Sequence, residues 1–127
     1  MKKPKIKVGK KVLKWIEPPP RFWAKGKFYS ELIDSGKLKM KYVFFPPKFE
    51  GGIHNHKGQN MKECHFIISG SGKWKWYDRG HRKIIKSGKL ESGEFSPVFD
   101  DNTPDHQFVS NPGKPLFFLA IEWHKKE

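Results

Sequence analysis

Cysteine is nearly absent from this chain of 127 residues. Cys64 stands alone, so no internal disulfide can form, and the redox compartment stays open. Arginine is almost as scarce. Only Arg21, Arg79 and Arg82 appear among 26 basic residues, although the net charge is +13. A charge of that size raises nucleic acid as a partner. Base and phosphate recognition favours the planar arginine fork, however, and this chain nearly lacks it. Lysine enrichment is also a trait of hyperthermophile surfaces, so a solvated thermophilic exterior is the plainer account of the charge. No apolar run approaches about eighteen residues, which argues against a membrane-spanning helix. The basic start lacks the apolar stretch of a secretory signal, and a cytoplasmic location is the expectation. Helical periodicity is missing beyond residue 40.

What the chain does have is aromatic bulk. Eleven Phe and five Trp must fill the core of what its length makes a single domain. Residues 1–20 form a distinct basic segment that ends in Pro18-Pro19-Pro20. Ile6, Val8, Val12, Leu13, Trp15 and Ile16 make it too apolar for a free tail. One or two strands packing on the main body, or on a second subunit, are expected there. Residues 22–36 resist assignment. Beyond them, short strands follow one another across residues 38–44, 63–69, 73–77, 82–86, 106–110 and 116–123, with Gly, Pro and Asn turns between. That procession predicts an all-β sandwich or barrel over residues 21–127, for which a jelly roll is the common small solution.

The densest chemistry lies in His54-Asn55-His56, then Glu63, with His106 far downstream. Strand side chains two apart share a face, so both imidazoles can reach one ion. Glu63 and His106 would complete a three-His, one-Glu ligand set that leaves positions open for water or substrate. These ligands suit iron, manganese, nickel, copper or zinc without choosing among them. A His-x-His pair by itself is more often ordinary core or surface; the two further ligands carry the metal reading. His65 shares the face of Glu63. It either donates to Glu63, or moves protons as a catalytic group, or is a hydrogen-bonded core histidine. Trp74 and Trp76 also share a face, as an aromatic wall for a substrate or as core packing. Tyr42, Gln59 and the rim residue Asp101 are further candidate substrate contacts. His81, at a turn, and His124, near the end, are expected to stay clear of the site. Phe95, Phe108, Phe118 and Ile121 are expected to fill the interior.

His54-x-His56, Glu63 and Gly70 resemble the first conserved motif of the cupins. Gly93-Glu94 through Pro104-Asp105-His106 to Asn111 resembles the second. The resemblance spans residues 38–123 and implies a double-stranded β-helix, a jelly-roll barrel with one divalent metal ion inside. It makes His54, His56 and Glu63 the first-motif ligands and His106 the second-motif ligand. Two departures stand out. The spacing from His56 to Glu63 is longer than usual, so Lys57-Gly58-Gln59-Asn60 implies a longer loop at the barrel mouth. The glycine usual between Pro and His in the second motif is missing.

The resemblance allows several functions, because this fold hosts many chemistries. A metalloenzyme acting on a small organic substrate leads, with dioxygenase-type oxidation favoured over a metal-dependent isomerase or lyase. A non-enzymatic small-ligand module is the alternative. A lysine-rich start that contacts nucleic acid is a third reading. Barrels of this size commonly pair, so a homodimer is expected.

Overall fold

The computed structural model describes residues 4, 6–8, 11–17 and 27–124. Among the described residues there are ten strands: β1 (Lys7–Val8), β2 (Lys11–Val12), β3 (Phe28–Asp34), β4 (Leu38–Phe45), β5 (Met61–Ser69), β6 (Ser71–Tyr77), β7 (Ile84–Glu91), β8 (Phe99–Asp100), β9 (His106–Ser110) and β10 (Leu116–His124). The described residues include no helix, hence none long and apolar enough to cross a membrane. β1 pairs with β2, a five-stranded sheet runs β3-β4-β10-β5-β8, and a three-stranded sheet runs β7-β6-β9. All pairings are antiparallel.

The alternation of β5 explains how the larger sheet forms. Met61, Glu63, His65 and Ile67 are buried while the residues between them are only partly so, as a strand with one packed face requires. Register then sets the rows of the inner face. Tyr29, Val43, Phe118 and Ile67 lie side by side across β3, β4, β10 and β5. The next row is Glu31, Lys41, Ala120 and His65, and Lys39, Glu122, Glu63 and Phe99 form a third. Val43, Phe45, Ile67 and Phe118 pack against Trp74, Leu90 and Phe108 of the smaller sheet, and that is the main core.

The outer face of the larger sheet is covered in part by residues 13–16. Leu13 and Trp15 pack with Phe28 and Phe117 in a second apolar cluster. Ile16 pairs with Tyr29 through two backbone hydrogen bonds of 2.8 and 2.9 Å. Lys2, Lys3, Lys5, Lys10 and Pro18-Pro19-Pro20, part of the basic segment distinguished by sequence, lie outside the described residues.

Three local expectations change. The unassigned stretch 22–36 contains β3, whose pattern is blurred by a bulge between Glu31 and Ile33. The strand expected at 82–86 instead runs on to Glu91, straight through Gly88. Gly88 belongs there because a Cβ would meet the indole of Trp74 at 2.5 Å. Phe95 does not fill the interior: it is 64% exposed and lies against Phe66.

Candidate metal centre

His54 and His56 sit on an irregular segment rather than a regular strand, a correction to the strand geometry expected of His-x-His. Gly51-Gly52 before them and the turn at 57–59 after them limit the pairing to one bridge, between His54 and His106. His54 N–H donates to the His106 carbonyl at 3.0 Å, and His106 N–H returns the bond at 2.8 Å. The two sequence motifs are thus tied directly, backbone to backbone.

Their rings converge. One ligand atom from each of His54, His56 and His106 lies within 4.8 Å of the other two. His54 Nδ1 donates to the Gly52 carbonyl and His106 Nδ1 to the Pro104 carbonyl, both at 2.9 Å. Each bond fixes the tautomer that turns an Nε2 lone pair inward, the preparation a metal-ligating imidazole usually receives. His106 Nε2 stands 3.2 Å from His56 Nε2. Bond lengths of about 2.0–2.1 Å in tetrahedral coordination place nitrogens about 3.3–3.4 Å apart, so this spacing fits a shared ion. Phe99 stacks on His106 at 4.6 Å and holds its ring.

The electrostatics suit ligation. Burial lowers His106 to about 4, with the Pro104 hydrogen bond opposing and the His54 and His56 rings adding to the fall. Desolvation at the cavity mouth likewise lowers His54, against the pull of the Gly52 carbonyl. Both imidazoles are therefore neutral at pH 7, which is the form that binds a metal.

Glu63 and His65 form a second unit beside the triad. Glu63 Oε1 is 3.1 Å from His65 Nε2 and 3.7 Å from His56 Nε2. It is not in the cluster of three mutually close histidines. Burial alone would raise this carboxyl, but the charge and hydrogen bond of His65, then His56 and His54, hold it at about 2. His65 Nδ1 meets Ser96 Oγ at 3.0 Å, and that hydroxyl gives its proton to the Pro97 carbonyl. Nδ1 must therefore be the donor, and the contact between Nε2 and Oε1 needs one more proton. Phe99, Phe108 and Phe118 enclose the ring on three sides.

A cavity of about 400 Å³ opens over the triad, lined in part by Gln59, Glu63, His65, Phe108 and Phe118. Gln59 lines this cavity. Four other candidate substrate contacts do not. Trp74 is buried core, and Trp76 packs against Trp74 and Phe99. Tyr42 lies on the outer face with Phe117, because strand alternation places it opposite Lys41 and Val43. Asp101 accepts from the backbone N–H groups of Asn60 and Met61 at 2.8 and 2.9 Å, so it anchors the start of β5 instead.

Sequence reasoning missed Ser96, Lys27, Lys41 and Glu122, the last three in the cavity wall. Lys41 left a signal, since it is in phase with Val43 and Phe45. His81 does not line the cavity, yet it acts one step away. Its Nε2 is 2.5 Å from Asp105 Oδ2, and Asp105 Oδ1 accepts from Asn55 Nδ2 at 2.7 Å. Those two hydrogen bonds, His81 first, lower the carboxyl of Asp105. The chain links the segment between His54 and His56 to the residue before His106.

No protein-family model and no curated protein matches the sequence. Solved structures do. KdgF from a Halomonas species superposes with a TM-score of 0.68 at 14% identity, covering 90% of this chain and 88% of that one. A predicted oxalate decarboxylase from Thermotoga maritima gives 0.66 at 19% identity, covering 89% and 94%. A cupin domain from a transcriptional regulator of Enterobacter cloacae gives 0.63 at 15% identity, covering 80% and 100%. At these identities the likeness speaks to the fold, and two motifs in order with two antiparallel sheets lead to the same place: this chain has the cupin fold.

Proposed function

We propose that this protein is a divalent-metal enzyme that moves a proton on a small organic substrate, as an isomerase or lyase does. We read its two sheets as the halves of a double-stranded β-helix. The observation that carries the reading is the buried His65–Glu63 pair, with its one transferable proton, beside three imidazoles whose lone pairs converge. His54, His56 and His106 would hold the ion, and Glu63 is near enough to His56 to join them. A bound divalent ion would supply Lewis-acid polarisation of a substrate carbonyl. The protein's own groups do the rest. His65 Nε2 and the Glu63 carboxylate, 3.1 Å apart, share one proton that the pair can exchange with a substrate. Ser96 fixes the orientation of that imidazole, and Phe99, Phe108 and Phe118 keep water from its edges.

Elemental mass spectrometry tests the metal, on wild type and on a His54→Ala, His106→Ala double variant. Near-stoichiometric metal that disappears in the variant is the expected result. No metal in the wild type after reconstitution with iron, manganese, nickel, copper and zinc would overturn the reading and leave a ligand-binding cupin. The same triad would serve O2 activation, so uptake of O2 by iron-loaded protein would favour the dioxygenase over the isomerase or lyase.

A further inference from the structure

The end of the hairpin between β6 and β7 presents apolar and basic side chains together. Residues 79–87 are exposed without a break, so this end stands out from the two sheets. A register shift opens where Trp76 pairs with Lys86 and Tyr77 with Ile84, leaving Ile85 with no residue opposite. Regular alternation would turn one of two neighbouring isoleucines inward. The bulge turns both outward instead, and Ile84 and Ile85 stay 46% and 49% exposed. Arg79, Arg82 and Lys83 precede them and Lys86 follows, a group that holds two of the three arginines in the chain.

The turn that carries these groups is firmly made. Asp78 Oδ1 accepts from the backbone N–H groups of Arg82 and Lys83 at 2.8 and 3.3 Å. The Asp78 carbonyl accepts from His81 N–H at 3.0 Å. β7 is an outer strand of its sheet, and lysines on such strands often serve only to block pairing with another chain. That role does not account for Ile84 and Ile85, which work against it. An aliphatic pair set among cations matches a surface that is anionic outside and apolar just beneath.

We infer that this hairpin end docks on an anionic lipid bilayer. Arg79, Arg82, Lys83 and Lys86 meet the headgroup phosphates, while Ile84 and Ile85 enter the boundary with the acyl chains. Two aliphatic side chains give shallow, reversible attachment. Nucleic acid would satisfy the cations but gain little from aliphatic side chains, since its bases stack on aromatic rings. None of residues 78–87 lines the cavity over the histidines, so attachment is separable from the metal chemistry.

Flotation of the whole chain with lipid vesicles tests this, at low and at high salt. The vesicles are phosphatidylcholine with and without phosphatidylglycerol. Binding to the phosphatidylglycerol vesicles at low salt is expected, with release by high salt and none to phosphatidylcholine alone. An Ile84→Ser, Ile85→Ser variant should bind about tenfold more weakly or worse. An Arg82→Gln, Lys83→Gln variant should lose about 25-fold, at about fivefold per cation. All four side chains are exposed, so both variants should melt with the wild type.

A wild type that binds neither vesicle overturns the inference. Equal binding to neutral and anionic vesicles does so too, because the cations would then have no part. Full binding by the serine variant would mean that the charges attract any polyanion, which also overturns it. A single-stranded oligonucleotide held equally by wild type and serine variant, with no vesicle binding, would assign this end to nucleic acid instead.

Discussion

Among single residues, Lys27 is the one whose cost to the fold is most readily measured. Its ammonium is held at about 7 in the folded state, against an ordinary 10.5. Between those values the unfolded chain binds more protons, so stability rises as pH climbs from 7 to 10.5; below 7 the penalty is fully present. Lys27→Met should therefore stabilise the protein at pH 7, on the order of 3 kcal/mol, and should flatten this part of the pH profile. Urea denaturation at pH 7 and pH 10 measures both effects, and a destabilised variant at pH 7 would refute the burial account. The triad contrasts with Lys27 in how much of it the chain discloses. His54, His56 and His106 are apparent from spacing because ligand chemistry restricts the residue types allowed. Lys27 is one lysine among 23, and nothing local marks it as buried.

Elements carry the next set of constraints, and β4 is the instructive one. Apolar Leu38, Met40, Tyr42 and Phe44 alternate with lysines, a pattern that ordinarily puts the lysines in solvent. Here Lys41 lines the cavity, while Tyr42 and Phe44 pack under the segment at 13–16. Alternation reports two faces; it cannot say which is inside when both are covered. β6 and β9 show how closely backbone spacing governs the site. A Cβ at Gly72 would overlap the carbonyl of Val109, and the same strand pair sets Trp76 opposite His106. Gly72→Ala should cost about 3 kcal/mol and reduce metal retention as β9 shifts, read by thermal melting and elemental analysis. The loop before β5 depends on Asp105, which links His81 to Asn55. Asp105→Asn keeps the fold but removes the charge, and metal affinity in a competition titration should fall about tenfold or more. Unchanged affinity would mean the histidines are placed without that link.

For the whole molecule, the question is what the two sheets and the basic surface do together. Antiparallel sheets packed through Val43, Ile67, Trp74, Phe108 and Phe118 leave one end open over the triad. The segment at 13–16 covers part of the outer face of the larger sheet, with Trp15 lying edge-on to Phe44 and Phe117. Leu32 and Ile33 of the edge strand β3 remain 46% and 43% exposed. We propose that the protein is a homodimer. Light scattering at micromolar concentration should return twice the chain mass of 14.9 kDa, and a monomer there would overturn the proposal.

What this sequence determined by itself is local or chemical. Strand alternation, turn residues and a ligand set with few acceptable substitutes fixed the all-β class and the identity of the three converging histidines, because those depend on neighbours along the chain or on what a metal tolerates. Ser96 behind His65, the lysines in the cavity, and the outward turn of Tyr42 were decided only by tertiary structure. Each depends on which face of a strand another part of the chain covers, and on register between strands far apart in sequence. Trp74 illustrates the point: its place in the core requires Gly88 on the neighbouring strand, a pairing that exists only once β6 and β7 have met.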